Sequence, residues 1–462
     1  MLSRGIDYTE IWNAATERIL RFRLSILFYF CRTQMRFMNL VQELRWRGMI
    51  QDIMPGTEDQ LQKEMTTGYI GFDPTADSLH IGNLVPILML VHLQRAGHKP
   101  IALVGGATGM VGDPSFKSEE RNLLSEETLA INQAGIRKQL EKFLDFDPAM
   151  NNSAEIVNNY DWFRGFSFLN FIRDVGKHIT INYMLAKDSV KKRVEGDTGM
   201  SFTEFTYQLI QGYDYYWLYE HKNIRLQMGG SDQWGNIVTG TELIRRKLGG
   251  EAFAFTCPLI TKADGGKFGK SEKGNVWLDA NKTSPYQFYQ FWLNSSDEDA
   301  KKWVKIFTFL TKEETDQLIS EHETNPAARE LQRRLATEIT TFVHGRDEFE
   351  RAVATTEKLF ADQNAPATSL TMHDLETMEG VVKFDYGLEK IKSGRDITSF
   401  LAETGIFSSK GEARKMIQNG GVSINRNKVN DASMLLEEGL LLHQQYLLVQ
   451  KGKKNYYLVK AV

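Results

Sequence analysis

Between about residues 67 and 260, short apolar runs of strand length alternate with stretches whose apolar residues recur at helical spacing. Strands are predicted at 68–72 and 100–104, with an apolar helix over about 79–96 between them. Two more are predicted at 224–228 and 253–260, again separated by a helical segment. This rhythm predicts an α/β domain with a parallel sheet flanked by helices. In such sheets ligands sit beyond the carboxyl ends of the strands, where polar turn residues collect. From 285 to about 360 the strand signal fades, and SPYQFYQFWLN and AARELQRRLATEITTFVHG predict a mostly helical region. Residues 362–394, containing DQNAPATS, read as a linker, and 395–462 as a small terminal domain.

At 462 residues the chain exceeds one hydrophobic core, so two to four domains are expected. An apolar share of 42% and a charged share of 25% are those of an ordinary globular protein. The net charge of −3 excludes a polycation that coats nucleic acid; any such contact must come from a local basic surface. Segment 395–462 supplies a candidate, with ten Lys or Arg against six Asp or Glu. Cys31 and Cys257 are the only cysteines, which make neither a disulfide framework nor a zinc site and suit a reducing cytosol.

The first 37 residues read differently, with arginines on both sides of an apolar run from Leu24 to Cys31. That run falls short of the roughly 20 residues that span a bilayer. No small-residue cleavage site follows it, and Asp7, Glu10 and Glu17 are out of place in an organelle-targeting segment. Residues 1–37 are therefore expected to be a dispensable extension, the globular part starting near Met38 with NLVQELRWRGMI.

Two segments carry the chemistry. In TGYIGFDPTADSLHIGN (67–83) a strand reaches Gly71, whose missing side chain lets a ligand approach the backbone. Asp73-Pro74 turns the chain, and Asp77 or Ser78 is placed to cap the next helix. His80 and Asn83 are three apart on the first turn with Gly82 between them, where free N–H groups and the helix dipole favour a phosphate. The second segment, KFGKS (267–271), follows the turn-forming ADGG and sets Lys267 and Lys270 around a glycine, a cationic loop suited to charge developing on phosphates. It is not a P-loop, because Asp264 stands where that motif needs glycine. A third feature is the helix through TEFTYQLIQGYDYYWLYE, which sets Tyr207, Gln211 and Asp214 along one stripe.

HIGN in the first βα turn followed by a late KFGKS resembles the two signatures of class I aminoacyl-tRNA synthetases. YIGFDPTADSLHIGN, VGGATGMVGDPS and LQMGGSDQWGN look in particular like the bacterial-type tyrosyl-tRNA synthetases, from about Met38 to the C-terminus. The resemblance implies a Rossmann-like catalytic domain over 38–284, a helical anticodon-side domain over 285–361, a linker over 362–394 and a small α+β S-four-type RNA-binding domain over 395–462. It implies ATP with Mg²⁺ as a substrate, no organic cofactor or structural metal, tyrosine and its tRNA as the other substrates, and a cytoplasmic enzyme with no membrane association. A homodimer is also implied, with the aromatic-rich residues 160–185 as candidate contact.

The same resemblance assigns Tyr69 and Asp214 to a substrate's phenolic hydroxyl, and Asp113, Tyr207 and Gln211 to its ammonium group. Gln233 falls to the amino-acid end of the intermediate and Asp232 to the ribose, with Gly71, Asp73, His80, Gly82 and Lys270 on the ATP side. His80, Asn83, Lys117, Arg121, Lys267, Lys270 and Ser271 form the group around the phosphates. Three positions depart from the pattern: Asn83 replaces a second His but retains a donor amide, Phe116 stands where relatives usually have glycine, and Ile70 lacks a ribose contact. In the tail, Lys410, Arg414 and Lys415 are the expected phosphate contacts of the RNA. Two alternatives stay open: a tryptophanyl enzyme, which the Tyr69–Asp214 pair argues against, and a non-catalytic RNA-binding protein, which the complete phosphate signatures argue against.

Overall fold

The computed structural model describes residues 39–462 except 114–123, 197–198, 267, 272–273, 361–365, 377, 379 and 453–454. The extension 1–37 lies outside the described residues. The chain divides into two compact units: 1–278 with 298–325, and 279–297 with 326–462.

The first unit is built on five parallel strands: β1 (Thr67–Phe72), β2 (Lys99–Val104), β3 (Glu155–Asn158), β4 (Ile224–Gly230) and β5 (Phe253–Cys257). Their spatial order β3-β2-β1-β4-β5 reverses direction at β1/β4, the point where such sheets open a crevice for ligands. β1 is buried at four of its six positions, as expected of a strand covered on both faces. β5 stops at Cys257, short of the 260 expected, because Pro258 has no N–H to continue the ladder. The short edge strand β3 was not foreseen; EIVN carries no alternation that would mark it.

Helix Leu84–Arg95 follows β1, and ten of its twelve residues are buried, which explains its uninterrupted apolar run. Helix Phe202–Lys222 precedes β4, capped at its start by the Ser201 hydroxyl and closed by Asn223 in the left-handed region. Helices Asp297–Phe307 and Lys312–Thr324 stand after the sequence-based boundary at 284, yet almost all of both falls within the first unit.

In the second unit helices Pro285–Leu293, Glu330–His344 and Arg346–Phe360 pack on one another. Beyond them lies a mixed sheet of β8 (Val382–Tyr386), β9 (Val422–Ile424), β10 (Asn427–Lys428), β11 (Tyr446–Lys451) and β12 (Asn455–Ala461), in the order β10-β9-β11-β12-β8. β8 runs parallel to β12 over Val382–Tyr386, so residues 362–394 are not merely the linker that their composition suggests. Tyr386 and Ile391 from that stretch are buried in the core of the terminal sheet and its helices. Low local periodicity hid a strand whose pairing comes entirely from residues 75 positions later.

Candidate active site

The carboxyl ends of β1, β2, β4 and β5 line a cavity of about 570 Å³. Twelve of the residues singled out in the sequence line it: Tyr69, Gly71, Asp73, His80, Gly82, Asn83, Asp113, Tyr207, Gln211, Asp214, Asp232 and Gln233. Lys117, Arg121 and Lys267 lie outside the described residues, as do the side chains of Lys270 and Ser271, whose backbone forms β6 (Lys270–Ser271). Lys410, Arg414 and Lys415 belong to the second unit, all exposed on helix Lys410–Gln418, which Ser409 caps.

One wall is the HIGN turn. His80 itself caps the turn Ile81–Asn83, in place of the Asp77 or Ser78 cap expected from sequence. Its Nδ1 accepts from the Gly82 N–H at 3.0 Å, and its own N–H donates to Asn83 Oδ1 at 3.0 Å. Ser78 is engaged elsewhere, donating to the Leu79 carbonyl and accepting from Gln139 Nε2. With Nδ1 occupied as acceptor, the neutral imidazole carries its proton on Nε2. Asn83 uses its oxygen to accept from the His80 N–H, which leaves its Nδ2 as a donor group. A Cβ on Gly82 would stand 2.7 Å from His80 Cε1, so this glycine is required for the ring to fold against the turn.

The second signature lies directly against the first. Ile81 N–H donates to the Val276 carbonyl at 2.9 Å, Val276 N–H to the Gly269 carbonyl at 3.0 Å, and Leu278 N–H to the Leu79 carbonyl at 2.8 Å. Gly269 has φ +85, a left-handed conformation that favours glycine, and a Cβ there would lie 3.6 Å from the Gly82 nitrogen. β6 pairs with β7 (Gly274–Asn275), closing the loop into a two-stranded ladder.

Helix Phe202–Lys222 forms another wall and brings Tyr207, Gln211 and Asp214 to the cavity from one stripe. Asp214 is 1% exposed and accepts from Asn159 Nδ2 at 3.0 Å and Trp162 Nε1 at 2.8 Å. Burial pushes its carboxyl up to about 8; the two donors oppose the shift, and the Asp73 charge adds to it. Tyr69 is also 1% exposed, and its hydroxyl has no hydrogen-bond partner among the described residues. Burial, and then the Asp214 charge, hold that phenol well above its ordinary range, so it stays a neutral donor. Gln211 Oε1 and Gln227 Oε1 are likewise buried without a partner beside the same cavity. Each unsatisfied buried polar group costs about 1–3 kcal/mol, so their convergence marks where a polar ligand belongs.

Asp73 connects these walls. One oxygen accepts from the Tyr207 hydroxyl at 2.8 Å and the other from the Thr108 hydroxyl at 2.7 Å, and Asn159 Nδ2 donates to Thr108 Oγ1 at 3.1 Å. Gly105 is needed here, since a Cβ would fall 2.2 Å from Asp73 Oδ1. At the end of β4, Gln233 Nε2 donates to Asp113 Oδ2 at 2.8 Å and Asp232 Oδ2 at 3.2 Å. Gly71 differs from Gly82 and Gly105: the nearest protein atom to a Cβ is Leu103 Cδ2 at 3.7 Å, so its bare backbone opens cavity space and relieves no clash.

Asn159, Trp162, Thr108 and Gln227 take part in the site without having been singled out. Trp162 fell within the aromatic stretch read as a candidate contact between subunits, and nothing in its neighbours distinguishes a tryptophan that holds a carboxylate. Among the described residues no group of three or more His, Cys, Asp or Glu is arranged to hold a metal ion.

The family model described as tRNA synthetases class I (W and Y) matches residues 61–361. The chain belongs to this family. A second model, described as a tyrosine–tRNA ligase SYY-like C-terminal domain, matches residues 379–459. Among curated relatives, a tyrosine–tRNA ligase of Parabacteroides distasonis is 62% identical over 92% of this chain and its own full length. One from Flavobacterium johnsoniae is 59% identical over 92% of this chain and 100% of the relative. Among solved structures, a C-terminally truncated mitochondrial tyrosyl-tRNA synthetase of Aspergillus nidulans matches with a TM-score of 0.62 at 31% identity, over 70% of this chain and 94% of that one. In this class I synthetase the HIGN and KFGKS signatures thus meet at the carboxyl edge of the sheet.

Proposed function

We propose that the chain is a tyrosine–tRNA ligase. The tyrosine carboxylate attacks the α-phosphate of ATP, forming tyrosyl-adenylate with loss of pyrophosphate; a terminal ribose hydroxyl of the tRNA then attacks the acyl carbon and AMP leaves. The observation that carries this reading is the Tyr69 hydroxyl, buried without a partner in a cavity it shares with the buried Asp214. A para-hydroxyl can meet both groups, whereas phenylalanine leaves the Tyr69 hydroxyl unpaired. Relatives at about 60% identity that carry the same activity in their names support it.

No protein nucleophile is required; catalysis consists of positioning and of charge stabilisation at the phosphates. His80 Nε2 and Asn83 Nδ2 are the donors proposed for the triphosphate, joined by Lys117, Arg121, Lys267 and Lys270, with Ser271 completing the loop. Mg²⁺ accompanies ATP. Asp232 holds the ribose and Gln233 the amino-acid end, while Asp113, Tyr207 and Gln211 hold the ammonium group. ATP–pyrophosphate exchange tested with each amino acid distinguishes this reading from its rivals. Exchange that depends on tyrosine is expected; dependence on tryptophan, or none at all, would refute it.

The working unit proposed is a cytoplasmic homodimer. Phe168, Leu169, Ile172 and Ile181 are 46–77% exposed, an apolar group that a second copy would cover. Among the described residues no helix is long and apolar enough to cross a membrane. Lys410, Arg414 and Lys415, at spacings of four and five on one helix, are proposed to follow the tRNA backbone.

A further inference from the structure

The cationic loop is held from behind by a helix that arrives later in the chain. Helix Asp297–Phe307 meets it twice. Ala263 N–H donates to Asp299 Oδ1 at 2.8 Å, and the Phe268 ring stacks on Phe307 at 5.3 Å with Trp303 edge-on at 5.1 Å. Phe268 is the aromatic residue of KFGKS and also lines the cavity.

One side chain grips the carboxyl end of that helix. Arg47, immediately after helix Leu40–Trp46, is 3% exposed. Its Nη1 donates to the carbonyls of Lys305 and Thr308, both at 2.7 Å, and its Nη2 to the carbonyl of Leu310 at 2.8 Å. Nε donates to Glu43 Oε1 at 2.8 Å, and Nη2 pairs with the same oxygen at 2.7 Å. These contacts engage all five guanidinium N–H groups. Carbonyls at a helix's carboxyl end lack intrahelical partners, and a cation there is favoured by the helix dipole. The gripped turn also touches the helix behind the first signature: His92 packs on Phe309 at 5.3 Å, and the Arg95 guanidinium covers the same ring at 4.5 Å. Both residues belong to helix Leu84–Arg95, which begins directly after HIGN. The turn 308–310 is therefore a joint between the supports of the two signatures.

We propose that Arg47 is a positioning residue for the phosphate site. By fixing the turn 308–310 it sets where Phe268, and with it the KFGKS loop, stands relative to His80 and Asn83. The inference rests on the reading of that loop as phosphate-binding. A 1 Å displacement of such a loop is enough to impair transition-state stabilisation while substrate still binds.

The test is single-turnover adenylate formation with tyrosine and ATP–Mg²⁺ on full-length variants. Arg47→Lys keeps the charge but loses the five-donor fork. The rate of adenylate formation is expected to fall about 10–100-fold, with the tyrosine dissociation constant changing less than about twofold. Phe268→Leu fills much of the same space without the ring stack; it is expected to give the same pattern, and it carries the test if Arg47→Lys does not fold. In a Lys270→Ala background either change should cost less than about twofold more, because both act through the loop already disabled. A wild-type rate in Arg47→Lys or Phe268→Leu, or a full multiplicative loss on top of Lys270→Ala, overturns the proposal. A wild-type rate in Lys270→Ala alone overturns the phosphate-loop reading, and the role of Arg47 with it.

Discussion

Tyr207 and Asp73, 134 residues apart, are joined by a hydrogen bond of 2.8 Å from the phenol to Oδ2. The bond ties helix Phe202–Lys222 to the turn after β1, and the second oxygen of Asp73 continues through Thr108 and Asn159 to Asp214. Removing the Tyr207 hydroxyl leaves a carboxylate oxygen one donor short, at a cost of about 1–3 kcal/mol. Tyr207→Phe should therefore melt earlier in calorimetry and raise the KM for tyrosine. A variant with neither change would show that the relay is dispensable.

Tyr69→Phe should behave in the opposite way toward heat. The hydroxyl it removes has no hydrogen-bond partner among the described residues, so the melting temperature should stay level or rise. Discrimination between tyrosine and phenylalanine, taken as the ratio of kcat/KM in pyrophosphate exchange, should fall by about tenfold or more, the worth of one buried hydrogen bond. Unaltered discrimination would detach Tyr69 from specificity.

Gly82→Ala tests the imidazole. Its Cβ cannot stand 2.7 Å from His80 Cε1, so the ring must leave its place against the turn. The expected loss in adenylate formation is about 10²-fold, comparable to removal of a transition-state donor, with little change in tyrosine affinity. Gly71→Ala, which meets no protein atom closer than 3.7 Å, should leave the fold intact and weaken ATP binding.

Asp214 makes stability depend on pH. Its folded pKa of about 8 lies above its ordinary 3.8, so between these values the native state keeps a proton that the unfolded chain has released. This contribution is full below about pH 4 and is lost as pH rises through about 8. In the ligand-free enzyme, Asp214→Asn should gain on the wild type by up to about 1.4 kcal/mol per pH unit across that window. Thermal melts at pH 5 and 8.5 check it, and parallel curves would refute the assignment.

Leu169 is 77% exposed amid other apolar side chains. Leu169→Glu should convert a dimer to a monomer at micromolar concentration in sedimentation velocity, because burying an unpaired carboxylate costs several kcal/mol. A wild type that already sediments as a monomer would remove the dimer proposal.

Much of the catalytic unit was legible because its signals are local. A glycine-bearing strand, a turn and a capped helical turn lie within 67–83, and local residue preferences point to that arrangement. Pairing partners were not legible. Asp77 or Ser78 was the cap expected from sequence, but Gln139 from another helix engages Ser78 and His80 caps the turn instead. β8 was hidden because its partner strand is supplied by the end of the chain.

The sequence by itself determined a parallel α/β domain with its glycine-bearing first turn, because those signals are local, and its motifs, through their family resemblance, named the residues expected at the sheet's edge. Only the tertiary structure decided how those residues are paired: Asp73 with Tyr207, Asp214 with Asn159 and Trp162, and Arg47 with carbonyls more than 250 positions away. The reason is physical. Burial makes an unmade hydrogen bond costly, and which group satisfies it depends on what packing brings within 3 Å, a distance along no part of the chain.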